Sequence, residues 1–323
     1  MSRPGTSCTP FSKRLFALRP YQNYILVCFY SLQLGFEILI TLRFLASGIF
    51  HRETGDLCGA SEVTVCRIVH KVCRTICELR SLYIKFPDAT GQANYKVQFY
   101  EYEHFPGMID CIDGCHVPIQ CPSTPDAEEH RNRTNRFSIN VQCVCTPNLQ
   151  FPNIVAHWKG ATHDSRIFLN SSLCAQFQGG QHSGLLLGDS GYGQNNILFT
   201  PYINPTTAEQ QRYHRAHIRT RGIVECMFGV WKNVFQCLLN TLCFKPRRCC
   251  KVIISTAVLH NYLKQHCCPD PPMEDQDQPD APMPLWTFPC KYRRHQKLEY
   301  YLPWSDRNSG NSVKNAVYLP GGL

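Results

Sequence analysis

Residues 107–120 read GMIDCIDGCHVPIQ, and the fold follows from how this run is taken. Its apolar residues Met108, Ile109, Ile112, Val117 and Ile119 make it strand-like, with Asp113 in the middle and Gly114 immediately after. Two more β-prone runs follow, Phe137 to Cys145 (FSINVQCVC) and Phe151 to Trp158 (FPNIVAHW). The break at Thr146–Pro147–Asn148 reads as a hairpin between them. Thr162–His163–Asp164–Ser165 then opens a helix-like segment, RIFLNSSLCAQF, with Thr162 or Asp164 as its cap and Gly179–Gly180 at its end. Leu185 to Gly188 is a short apolar run consistent with a buried strand, and Asp189 stands at its carboxyl edge. In open α/β sheets ligands gather outside that edge.

Beyond it, Ile223, Met227, Val230, Trp231 and Val234 recur at three- and four-residue spacing, the stripe of an amphipathic helix. Glu225 falls on the other side with Arg221 and Lys232, where it reads either as part of a solvated face with an i, i+4 ion pair or as a carboxylate turned to a metal. The order strand–strand–strand–helix–strand–irregular–helix predicts an α/β fold, an RNase H-like nuclease core with a mixed sheet flanked by helices. Asp113, Asp189 and Glu225 are the residue type a phosphodiester-cleaving site needs. Two divalent ions bridged by carboxylates activate the attacking water and steady the leaving oxygen, and hard oxygen ligands suit Mg²⁺ or Mn²⁺. Asp110 lies three residues before Asp113 and so is expected on the opposite strand face, in solvent or a turn.

The motifs FPGMIDCIDGCHVPI, RFSINVQCVC, GATHDSRIFLNSSL, LLLGDSGY, FTPY, RAHIRTRGIVECMFGVWKNVF and VLHNYL occur in this order between about residues 36 and 269. This stretch resembles the Harbinger transposase-derived nucleases of the DDE superfamily. The resemblance implies a catalytic triad at Asp113, Asp189 and Glu225, with Asp164 as a fourth acid that joins or supports the metal cluster. It implies a DNA endonuclease without autonomous transposase activity. It also implies a Myb/SANT-like DNA-binding accessory protein that brings the nuclease to the nucleus. A rival expectation is a domesticated DNA-binding or scaffolding protein that no longer cuts.

Residues 37–80 resemble the helical domain that precedes this core. Glu37 to Ser47 is a helix candidate, residues 54–59 a connection, and Ser61 caps a second helix with an apolar stripe of Val65, Ile68, Val69 and Val72. The pattern is helix-turn-helix-like, with Thr64, Arg67 and Lys71 as candidate DNA contacts, or else a plain helical hairpin on the core. The expected organisation is an atypical leader (1–35), a helical domain (36–87), the nuclease domain (88–268) and a Pro-rich, acidic, then basic tail (269–323).

With five acids and no base in 269–282 and a surplus of four bases in 283–323, the net charge of +9 leaves ten positive charges on residues 1–268, as a phosphate-backbone binder requires. Basic runs occur at Arg131, Arg133 and Arg136, at Lys245, Arg247, Arg248 and Lys251, and in the tail as KYRRHQK, a candidate import signal. The 20 cysteines show no C-x₂-C pair and are scattered through apolar segments. They read as reduced, packed thiols in nucleus or cytoplasm rather than as zinc ligands or disulfides. Residues 21–36 carry no charge, yet this run falls short of the ~20 apolar residues that span a bilayer. A buried helix is expected there, and neither a membrane span nor secretion.

Overall fold

The computed structural model describes residues 19–270, with side chains from residue 33 onward. Expectations for residues 1–18 and 271–323, the import signal among them, lie outside the described residues. The amino-terminal helices are α1 (Arg19–Ser47), α2 (His51–Cys58), α3 (Glu62–Glu78), the single turn α4 (Arg80–Tyr83) and α5 (Ala89–Glu103). The apolar run and Glu37 to Ser47 thus form one helix. It stops at Gly48, whose φ of +63° a side chain would strain and whose Cβ would meet the backbone of Cys237. Helix α2 occupies most of the stretch expected to be a connection. Gly55 permits this, because the carbonyl of Ala60 packs where its Cβ would stand. Ser61 caps α3 as expected, its Oγ accepting the Thr64 N–H at 3.3 Å. No helix among the described residues is long and apolar enough to cross a membrane.

The sheet comprises β1 (Met108–Pro118), β2 (Ser138–Cys145), β3 (Asn153–Lys159), β4 (Leu185–Leu187) and β5 (Leu198–Phe199), in the order β3-β2-β1-β4-β5. Strands β1, β2 and β3 pair antiparallel as hairpins, while β4 and β5 join parallel to β1. This is the mixed RNase H-like sheet the sequence predicts, with the short β5 added. The helix expected after residue 164 is two: α6 (Asp164–Leu169) and α7 (Ser172–Gln178). Neither Thr162 nor Asp164 caps α6. His163 holds that position without capping a backbone N–H through its side chain, and Ser171 restarts the chain by accepting the Cys174 N–H at 3.1 Å.

Helix α8 (Ala208–Val234) begins with a capping box, Thr207 and Gln210 each satisfying the other's backbone, and α9 (Pro246–Gln265) follows. One face of β1 packs with Phe168, Leu173 and Phe177 of α6 and α7; the other face joins the main core around Met227 and Trp231 of α8. That main cluster continues from Ile40 to Val258, so the amino-terminal helices and the sheet share buried apolar surface. Trp231 is fully buried edge-on to Phe151, ring centroids 5.0 Å apart.

Two polar side chains of α9 close the fold. Asn261 accepts the Phe151 N–H and donates to the carbonyls of Phe151 and Tyr83, each at 2.8 Å. His260 Nε2 bonds the Leu149 carbonyl at 2.7 Å, and burial holds its imidazole down to about 4. The unfolded chain takes up that proton near pH 6.5 and the folded one only near 4, so acid favours unfolding across this window. Urea denaturation should therefore show stability falling between pH 6.5 and 4, and His260→Gln should remove up to about 3 kcal/mol of that dependence. Identical pH slopes for both proteins would refute the assignment.

Candidate active site at the carboxyl edge of the sheet

In the parallel β1–β4 pairing, Cys111 lies opposite Leu187. Asp113 and Asp189 each follow that matched pair by two residues, so backbone register alone brings them to the same edge. Asp113 lies on the β1 face toward α8, where Arg221 donates from Nη1 to its Oδ2 at 2.7 Å. The same guanidinium donates from Nη2 to Glu225 Oε1 at 2.5 Å, one helical turn along α8. The i, i+4 pair expected for a solvated face is thus formed, and its cation is shared with Asp113. Glu225 is joined to Asp113 through Arg221.

Asp164, the first residue of α6, comes in over the other face of β1. Its carboxylate lies against the Cα of Gly114, where any Cβ would overlap it, and Asn140 Nδ2 of β2 donates to its Oδ1 at 2.7 Å. Asn140 Nδ2 also bonds the Thr162 carbonyl, while its buried Oδ1 has no hydrogen-bond partner. Asp189 Oδ1 accepts the Gly191 N–H at 2.9 Å, which turns the chain at the end of β4. Beneath lies Tyr192, whose phenol accepts from Gln142 Nε2 at 3.3 Å. Burial raises the Tyr192 hydroxyl well above its ordinary range, and Asp164, Asp113 and Asp189 add to that push.

Burial likewise pushes the Asp113 carboxyl up to about 7, against the opposing pull of Arg221 and the Gly114 N–H. Asp189 and Asp164 push in the same direction as burial, so these three carboxylates share one electrostatic neighbourhood. Among the described residues no three His, Cys, Asp or Glu side chains converge into a ready metal site. The Arg221 guanidinium stands between Asp113 and Glu225. The donor set nevertheless fits a hard divalent cation: carboxylates of Asp113, Asp164, Asp189 and Glu225 and the orphaned amide oxygen of Asn140, with no thiolate or imidazole required.

The remaining residues singled out in the sequence fall as follows. Asp110 is fully buried, not in solvent or a turn; both its carboxylate oxygens lack partners, and burial raises its carboxyl well above the usual range. The register shift of β1 lies before Asp110 and pairing is regular after it, so the two acids do stand on opposite faces; Asp110 is buried because helices cover both faces of the sheet. His116 Nδ1 meets Ser138 Oγ at 3.0 Å, and Lys232 Nζ donates to the His116 carbonyl at 3.4 Å. His163 Nδ1 meets Ser165 Oγ at 3.1 Å. Arg131 pairs with Glu128 and lies over the Phe137 ring. On α3, Thr64 Oγ1 lies 2.8 Å from Ser61 Oγ, Lys71 pairs with Glu37 at 2.7 Å, and Arg67 is exposed.

Residues 112–261, which contain all four acids, match the family model of the DDE superfamily endonucleases. The protein named "Putative nuclease HARBI1" in Homo sapiens is 32% identical over 236 residues, covering 71% of this chain and 67% of that protein. Its Bos taurus counterpart is 33% identical with the same coverage. The chain belongs to the Harbinger transposase-derived nuclease family. A plant relative, "Protein ALP1-like" of Arabidopsis thaliana, is 23% identical over 270 residues, 78% of this chain and 64% of the relative. No solved structure matches.

Within this Harbinger nuclease, sequence reasoning overlooked Asn140 and Gly114, although a glycine inside a strand often marks a close approach. Gly114→Ala should cost about 1–3 kcal/mol in thermal or denaturant unfolding, because the new methyl displaces the Asp164 carboxylate. In an Asp164→Ala background the same change should cost markedly less. Equal costs in both backgrounds would show that the two residues do not touch.

Proposed function

We propose that this chain is a divalent-metal-dependent DNA endonuclease, a phosphodiester hydrolase without autonomous transposase activity. The observation that carries the reading is the shared register of Asp113 and Asp189 at the carboxyl edge of β1 and β4, with Asp164 and Glu225 beside them. Asp113, Asp189 and Glu225 would hold the ions, with Asp164, oriented by Asn140, in support. Bound there, Mg²⁺ or Mn²⁺ would supply Lewis-acid activation of water and charge neutralisation at the leaving oxygen. Arg221, which pairs with Asp113 and Glu225, would compete with the ion for these carboxylates. Of the three α3 residues expected from the sequence to contact DNA, Arg67 keeps that role, while Thr64 is bonded to its own cap and Lys71 is paired with Glu37. A Myb/SANT-like DNA-binding partner, and residence in nucleus and cytoplasm, complete the proposal.

One observation favours a second reading, a catalytically silent DNA-binding or scaffolding protein. Arg221 already pairs with both Asp113 and Glu225, and a permanent cation there would stand in place of a metal. Plasmid cleavage in Mn²⁺ decides the first question: Asp189→Asn should lower the rate at least a hundredfold, and undiminished cleavage rejects the nuclease. Calorimetric titration with Mn²⁺ decides the second. Arg221→Gln should bind the ion more tightly than the native chain if the guanidinium competes for these carboxylates. Binding by the variant alone identifies the silent protein, and binding by neither removes the metal site.

A further inference from the structure

The carboxylates at the sheet edge repel a phosphodiester until metal arrives, so the binding energy for a nucleic-acid strand must come from cations elsewhere. Helices α3 and α9 supply them. These helices pack side by side although more than 170 residues separate them in sequence, and Arg248 Nη1 reaches Cys66 Sγ at 3.8 Å across their contact. Arg67 and Arg74 of α3 and Arg247, Arg248 and Lys251 of α9 are exposed. None of these five enters an ion pair among the described residues. No acid occurs from Lys245 to Gln265, and the acids of α3, Glu62 and Glu78, are its terminal residues. His70 reports the common field: partial burial, then Arg248, Arg74 and Lys251, hold its imidazole below the usual range.

We propose that α3 and α9 together form a docking surface for the backbone of duplex DNA, with Arg67, Arg74, Arg247, Arg248 and Lys251 gripping phosphates. The nuclease reading enters only in choosing DNA as the polyanion. Arg67 and Arg74 stand about 10 Å apart along the helix axis, enough to engage phosphates spaced at about 3.4 Å of axis per strand. The surface differs from groove insertion of a recognition helix through residues 64, 67 and 71. Thr64 is engaged with its own cap, Lys71 is paired with Glu37, and α9 contributes three of the five cations.

The test is fluorescence anisotropy of a labelled duplex with the full chain in EDTA across a salt series. Arg67→Gln/Arg248→Gln/Lys251→Gln should weaken binding at least tenfold and reduce the log–log salt slope by about 2–3. Lys71→Gln should bind within twofold of the native chain, and circular dichroism melts check that each variant is folded. Native affinity and slope in a folded triple variant overturn the proposal. So does a Lys71→Gln loss equal to that of Arg67→Gln alone, which points to groove insertion. Displacement of the duplex by polyglutamate at equal charge concentration reassigns the surface to acidic proteins. Because the assay omits metal, Asp189→Asn binding as the native chain does while failing to cut separates this proposal from the nuclease reading.

Discussion

Parallel pairing of β1 with β4 is the constraint on which the site depends. Cys111 opposite Leu187 sets where each strand ends, and the acids two residues beyond are carried to one edge without any side-chain interaction between them. A one-residue slip would turn one of them to the opposite face. The register is held by burial of Ile109, Ile112 and Leu186 against α6 and α7 on one side and of Cys111 and Leu187 against the main core on the other. Positioning of the carboxylates is thus a by-product of apolar packing.

Electrostatics then complicates what packing assembles. Asp113 is deeply placed, and two neighbouring carboxylates add to the cost of its charge. Arg221 offsets part of that cost with one fork end on Asp113 and the other on Glu225. One guanidinium thus links an acid of the sheet to an acid of α8 and lets the two stand close together. It also explains why the helix carrying Glu225 is long and capped, since α8 must present residues 221 and 225 in fixed relation to the sheet.

Much of this was legible beforehand. The β-prone runs at 107–120, 137–145 and 151–158, the short run before Asp189 and the stripe through Trp231 each carry a pattern that survives tertiary context, and together they give the succession of elements along the chain, the short β5 excepted. Four misreadings have physical causes. Asp110 falls inside rather than outside because helices cover both faces of β1, so a residue opposite Asp113 meets packing and not solvent. Helix α2 was read as a connection because glycines usually interrupt helices, whereas Gly55 is required by the Ala60 carbonyl. The α6–α7 break at Asn170–Ser171 was missed because a continuous apolar pattern conceals a recap by Ser171. Arg221 was recognised as a neighbour of Glu225, but its reach to Asp113 spans 108 residues, which no local pattern encodes.

The amide of Asn261 has a consequence for how the protein is made. It ties Tyr83 to the last described helix across 178 residues. At synthesis rates of about 5–20 residues per second, roughly ten to forty seconds pass between the two leaving the ribosome. During that interval α3 lacks the helix it packs against, and Cys73, which ends fully buried beside Ser255 of α9, stays uncovered. The nascent amino-terminal half must therefore wait with apolar surface uncovered until α9 emerges.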